Sequence, residues 1–198
     1  QRQLADALEA PKALTPPQPN NQPTITTGSQ TQLLVVVGDQ PSGDNSLAID
    51  ISVLRGVSQK TGLQFHRIIN PTAEELEAEL IRARRHGIVH QYMHMAVHAC
   101  PDGIELKDGT VDGDWLSARL AGTEILLLAG CRGTAIGDWL SVIPFVITFD
   151  EEISHQNAAA FSEGFWTAIA KGCAPDDAVG EALRRCVPST REYIHKHW

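Results

Sequence analysis

A chain of 198 residues with 42% hydrophobic content can bury one good core, and its net charge of −8 comes without a basic run. Arg82, Arg84 and Arg85 follow Glu74, Glu75, Glu77 and Glu79, the pattern of a charged helix and not of a nucleic-acid surface. No stretch reaches the ~18 apolar residues of a membrane span. No secretion signal is visible, and four scattered cysteines without a C-x-x-C pair fit reduced thiols in a cytoplasm, not a disulfide scaffold or a zinc site.

The chain opens at Gln1, not Met, which suggests a fragment or a processed form. Leu4 and Leu8 have helical spacing within residues 1–10, and Pro11 stops that pattern. Pro16, Pro17, Pro19 and Pro23 among Gln, Asn and Thr give residues 11–31 a linker composition. Residues 1–31 are therefore a flexible tail or a join to an upstream module, and residues 32–198 are the folded domain.

Leu33–Val37 reads as a first strand, and Gly38–Asp44 as the loop at its carboxyl end. That loop has neither G-x-G-x-x-G nor a Walker lysine, so it is a poor phosphate site. Leu47–Lys60 reads as a helix with Ile51, Leu54 and Val57 inward, ended by Gly62. Leu63–Ile69 is a second strand. Thr72 with Glu75 forms a capping box for a helix that carries Leu76, Leu80 and Ile81 inward and ends near His86-Gly87. Ile88–His98 reads as a long third strand. Asp108-Gly109, between Ile104–Leu106 and Thr110–Val111, signals a hairpin. Asp112–Leu120 is a short helix with Trp115 and Leu116 inward.

Ile125–Ala129 is an unbroken apolar run, as expected of a strand buried on both faces. Ile136–Leu140 suits a helical turn, and Val142–Phe149 a fifth strand interrupted by Pro144. Ile153–Ala170 is a long amphipathic helix ended by Gly172, and Pro175 opens a last helix through Arg185. This order predicts an α/β fold, a three-layer sandwich with helices flanking a mostly parallel central sheet.

His90, His94 and His98 are spaced by four. On a helix they would stack, but on a strand they spread over about 27 Å. Gly87 and Pro101 as bounds, with Ile88, Val89, Tyr92 and Val97 between, favour the strand, so no metal is expected. His98 is the last residue before a loop, and Cys131 holds the same place after Ile125–Ala129. If those strands are parallel neighbours, thiol and imidazole meet at one sheet edge, where open α/β sheets bind ligands. Their separation of 33 positions leaves room for a hairpin and a crossover helix. Such a pair is the minimal unit of cysteine nucleophilic catalysis: Cys131 attacks, and His98 takes the proton and returns it to the leaving amine. The Cys131 and Ala99 N–H groups are the candidate oxyanion donors. Cys100 is a weaker nucleophile candidate, and His94 and His90 read as structural.

The segments His94-Met95-Ala96-Val97-His98-Ala99 and Ala129-Gly130-Cys131-Arg132-Gly133 resemble the two catalytic segments of caspase-like cysteine peptidases, most closely their CHAT branch. Ala158, Phe161, Phe165, Trp166 and Gly172 resemble the helix that follows there, and the resemblance spans residues 32–187. Ala99 departs from the glycine common after the catalytic His. The resemblance implies a caspase-like fold and peptide-bond hydrolysis by a Cys–His dyad without a cofactor. It also implies a protein or peptide substrate, an upstream sensor or adaptor module, and a role as a regulated effector in bacterial defence or cell death. No contact with nucleic acid or membrane is expected. Caspase relatives select the residue before the cut by charge in loops after the first and fifth strands. Here those loops hold Asp39, Asp44 and Asp150, with Glu151 and Glu152, so Arg or Lys is expected at the cut. The competing readings are a catalytically silent adaptor on the same fold, and a small-molecule enzyme on a flavodoxin-like sheet that uses the Gly38–Asp44 loop.

Overall fold

The computed structural model describes residues 32–38, 46–130, 136, 138–149, 153–186 and 194–197. The expected helix in residues 1–10 and the linker at 11–31 lie outside the described residues. Six strands form the main sheet: β1 (Gln32–Val37), β2 (Gln64–Ile69), β3 (Tyr92–Ala96), β7 (Ile125–Leu128), β8 (Phe145–Phe149) and β9 (Ile194–His197). Their spatial order is β2-β1-β3-β7-β8-β9. The first five run parallel, and β9 closes the β8 edge antiparallel. Between β3 and β7 the chain inserts a three-stranded antiparallel sheet, β4 (Ala99–Cys100), β5 (Gly103–Leu106) and β6 (Gly109–Val111).

Helices cover both faces, which makes a three-layer α/β sandwich. On one face α1 (Ser46–Thr61), α4 (His155–Ala170) and α5 (Pro175–Leu183) enclose Leu33, Val35, Val37, Leu127 and Ile147. On the other, α2 (Ala73–Arg85), α3 (Gly113–Arg119) and the small sheet cover Leu34, Val36, Met93, Met95, Leu126 and Leu128. The period-2 alternation of β1 sends its odd residues to one helical layer and its even residues to the other. Both layers being apolar is what makes the run unbroken in sequence.

The local signals act as their chemistry requires. The Thr72 hydroxyl accepts from Glu75 N–H, and the Glu75 carboxylate accepts from Thr72 N–H, so α2 starts with both halves of its capping box. Asp112 caps α3 by accepting from Trp115 N–H, and Ser154 caps α4 by accepting from Asn157 N–H. Gly172, with φ +83°, ends α4 in a conformation that β-carbon sterics disfavour in other residues. No helix among the described residues is long and apolar enough to cross a membrane.

Three expectations need correction, and one element was missed. The third strand is shorter than Ile88–His98. Ile88 N–H bonds Ala83 O and Gln91 N–H bonds Val89 O, so this stretch spends its amides locally. Pairing begins only where Ile125 opposes Tyr92. His90 thus precedes the strand and His98 lies beyond it. On α2, Ile81 is 39% exposed, and Ala83 is buried in its stead, because the buried stripe runs through Leu76, Leu80 and Ala83 at helical spacing. The fifth strand starts at Phe145, immediately after Pro144, whose ring nitrogen cannot donate to a ladder. The antiparallel strand β9 was not foreseen: Ile194-His195-Lys196-His197 has no apolar alternation to announce it.

Candidate active site

The parallel strands β3 and β7 are direct neighbours, in the register Tyr92↔Ile125, Met93↔Leu126, His94↔Leu127 and Met95↔Leu128. Their carboxyl ends carry the pairing one step further, with Ala129 N–H bonding Met95 O at 2.8 Å. Beyond that, Gly130 is wedged against the segment leaving β3. A β-carbon on Gly130 would stand 2.3 Å from Val97 O and 3.4 Å from both Ala99 N and Ala99 Cβ. Only a glycine fits, because the two backbones touch there. On the far side of β3, Gly38 N–H bonds Ala96 O at 2.9 Å and holds the end of β1 to the same rim.

His98 is exposed at this rim, two residues past the last residue of β3. Its carbonyl accepts from Glu105 N–H at 2.8 Å, which starts the β4–β5 ladder (Ala99↔Ile104, Cys100↔Gly103). Amides along an antiparallel ladder alternate in direction. With His98 bonded toward β5, the Ala99 N–H is directed away from β5, and Ala99 N lies on the side where Gly130 packs. Cys131, Asp39, Asp44 and Asp150, with Glu151 and Glu152, lie outside the described residues. Of the site read from sequence, the structure describes His98, Ala99 and the glycine bonded to Cys131. Cys100 is half-buried in β4 and makes no disulfide.

His94 sits in the middle of the sheet. It is wholly buried, and its Nδ1 accepts from Trp166 Nε1–H of α4 at 3.3 Å. Burial drives its pKa down to about 4, so the ring is neutral and serves the packing. Sequence reasoning missed Asp50, in the second turn of α1, the helix that starts after the β1 rim loop. Burial raises its carboxyl to about 6, against the opposing pull of His155 at the start of α4. The available signal was an acid set beside Ile51 and four residues before Leu54, on the apolar stripe of the helix. A cavity of about 260 Å³ is not at this rim. It lies at the opposite, amino-terminal end of the sheet, lined by Gln32, Gln64, His66, Arg82 and His90 among others.

No protein-family model and no curated protein matches the chain. Among solved structures the chain is similar to pyridoxal kinase of Bacillus subtilis, solved as an ADP complex. That likeness has 11% identity and a TM-score of 0.41, and covers 85% of this chain and 97% of that chain.

Proposed function

We propose that the chain is a caspase-like cysteine endopeptidase of the CHAT type, working through a Cys131–His98 dyad. One observation carries the reading: β3 and β7 are parallel neighbours, and from their last registered pair, Met95↔Leu128, three residues lead to His98 on one strand and three to Cys131 on the other. Gly130 packing on Ala99 supports it from the residue before the thiol.

In this reading the Cys131 thiolate attacks the scissile carbonyl carbon, and His98 holds the thiol proton. The negative oxygen of the tetrahedral intermediate is met by the Ala99 and Cys131 N–H groups. His98 gives its proton to the departing amine, leaving a thioester that water hydrolyses with His98 as base. No cofactor takes part. Asp39, Asp44 and Asp150 supply a negative pocket for Arg or Lys before the cut. The biological setting is cytoplasmic: an effector of bacterial defence or cell death, held in check by an upstream sensor or adaptor.

The test is labelling with an electrophilic peptide probe. Stoichiometric labelling of the native chain, lost in Cys131→Ala and slowed at least about a hundredfold in His98→Ala, is the expected result. Labelling that persists in Cys131→Ala, or falls on Cys100, overturns it. A Cys131→Ala chain that keeps every function in its host identifies a silent adaptor. In a peptide panel cleavage is expected after Arg or Lys, and cleavage after Asp alone defeats the acidic-pocket assignment.

A further inference from the structure

The cavity at the amino-terminal rim lies at the opposite end of the sheet from His98, and nothing in the proposed reaction uses it. Its polar walls are Gln32 of β1, Gln64 and His66 of β2, Glu79, Arg82 and His86 of α2 and its terminal turn, and His90 before β3. Glu79 is the sole carboxylate among them, and its charge is already committed. Its Oε1 takes Arg82 Nη2 at 2.6 Å and His66 Nε2 at 3.3 Å, and its Oε2 takes Arg82 Nε at 2.8 Å. The remaining charge-bearing donors have no acidic partner in the cavity. His90 is buried to 6% exposure, and among the described residues neither of its ring nitrogens has a hydrogen-bond partner. Buried polar groups are rarely left so.

Among the described residues no group of three or more His, Cys, Asp and Glu side chains is placed to hold a metal ion. The imidazoles therefore count as proton-carrying donors. The Gln32 amide and the His86 and His90 imidazoles, beside a carboxylate already neutralised by Arg82 and His66, suit a ligand that is acceptor-only and negative. We propose that this cavity is a second site, for a tetrahedral oxyanion, either free or carried as a phosphate or sulfate ester. Binding is coupled to proton uptake. Burial above all, and then His66 and Arg82, disfavour the imidazolium of His90 while Glu79 favours it, so an added anion tips the balance toward the charged ring.

The test is a titration of the full chain with sulfate, which stays dianionic across the range, followed through the histidine ring resonances by NMR. Chloride at matched ionic strength is the control, and glycerol 3-phosphate is the ester arm. Saturable shifts of His66, His86 and His90 are expected, with His98 unmoved. Affinity should be about tenfold higher near pH 5.5 than near pH 7.5. Arg82→Gln and His86→Gln, both at exposed positions, should each weaken binding severalfold without unfolding the chain. Shifts that chloride reproduces, shifts that ignore both substitutions, or rings that respond to zinc and not to sulfate overturn the proposal. Cys131→Ala should bind sulfate as the native chain does, so the result stands apart from the peptidase reading.

Discussion

Two titratable side chains, one buried and one half-buried, pull the stability of this protein in opposite directions. His94 holds its folded pKa near 4 against 6.5 for a free ring. Between those values the unfolded chain binds the extra proton, so His94 makes stability climb with pH, by on the order of 3 kcal/mol in total. Asp50 does the reverse. Its carboxyl titrates near 6 when folded against 3.8 when free, so from about pH 4 to 6 the folded chain holds the extra proton and stability falls as pH rises. Its partial exposure reduces that contribution. The native chain should thus show a denaturant midpoint that rises gently with pH across this window. Asp50→Asn should make the rise steeper, and His94→Leu should turn it into a fall, each against its own plateau. Parallel profiles for the three chains would show that neither group is set as described. The residue scale is also where the sequence was least legible. The unbroken apolar run of β1 announced burial, but nothing in His94-Met95-Ala96 announces Trp166, 72 residues away, as the partner of the ring.

At the scale of elements the joint that matters is between the ends of β3 and β7. Gly130→Ala places a methyl carbon 2.3 Å from Val97 O, backbone against backbone, with no side chain free to yield. The strands must part or the segment after β3 must move. We expect a stability loss of about 1–3 kcal/mol, the range for overpacked sites. Probe labelling should drop further than that loss explains, because the displacement falls next to both members of the proposed dyad. Unchanged labelling with an unchanged melting midpoint would refute the wedge. Elements were read well from sequence wherever punctuation was chemical: Thr72 and Glu75, Asp108-Gly109, Gly172, Pro175. They were misread where pairing decides the boundary. The third strand stops at Ala96 because β4 turns to β5, a fact that resides in Glu105 and the hairpin and not in Val97 or His98. The parallel adjacency of β3 and β7 was legible, since a hairpin and one helix between two buried strands leave few other arrangements.

For the whole molecule, the sheet has two edges of different character. Among the described residues β2 is bordered by β1 alone, and it carries His66 and Arg67 on a largely exposed strand, the charged pattern that discourages stacking with other chains. The other side depends on β9. Val146 to Phe149 pair with His197 to Ile194 and would otherwise present a fully buried, aliphatic-aromatic strand with open amides. A chain cut after residue 193 should therefore associate through β8, as higher-order species in size-exclusion chromatography with light scattering. A cut chain that stays at the size of the native one would assign β9 a lesser role.

The layer built by α4 and α5 covers β1, which is made more than a hundred residues earlier. During synthesis the odd-numbered side chains of Leu33–Val37 leave the ribosome with little beyond Leu54 and Val57 of α1 to lie against until Phe161, Phe165 and Trp166 have followed. For most of its translation the nascent chain is an obvious client for chaperones that grip bare hydrocarbon. Any catalytic competence at the opposite end of β3 must wait until the polypeptide is nearly complete.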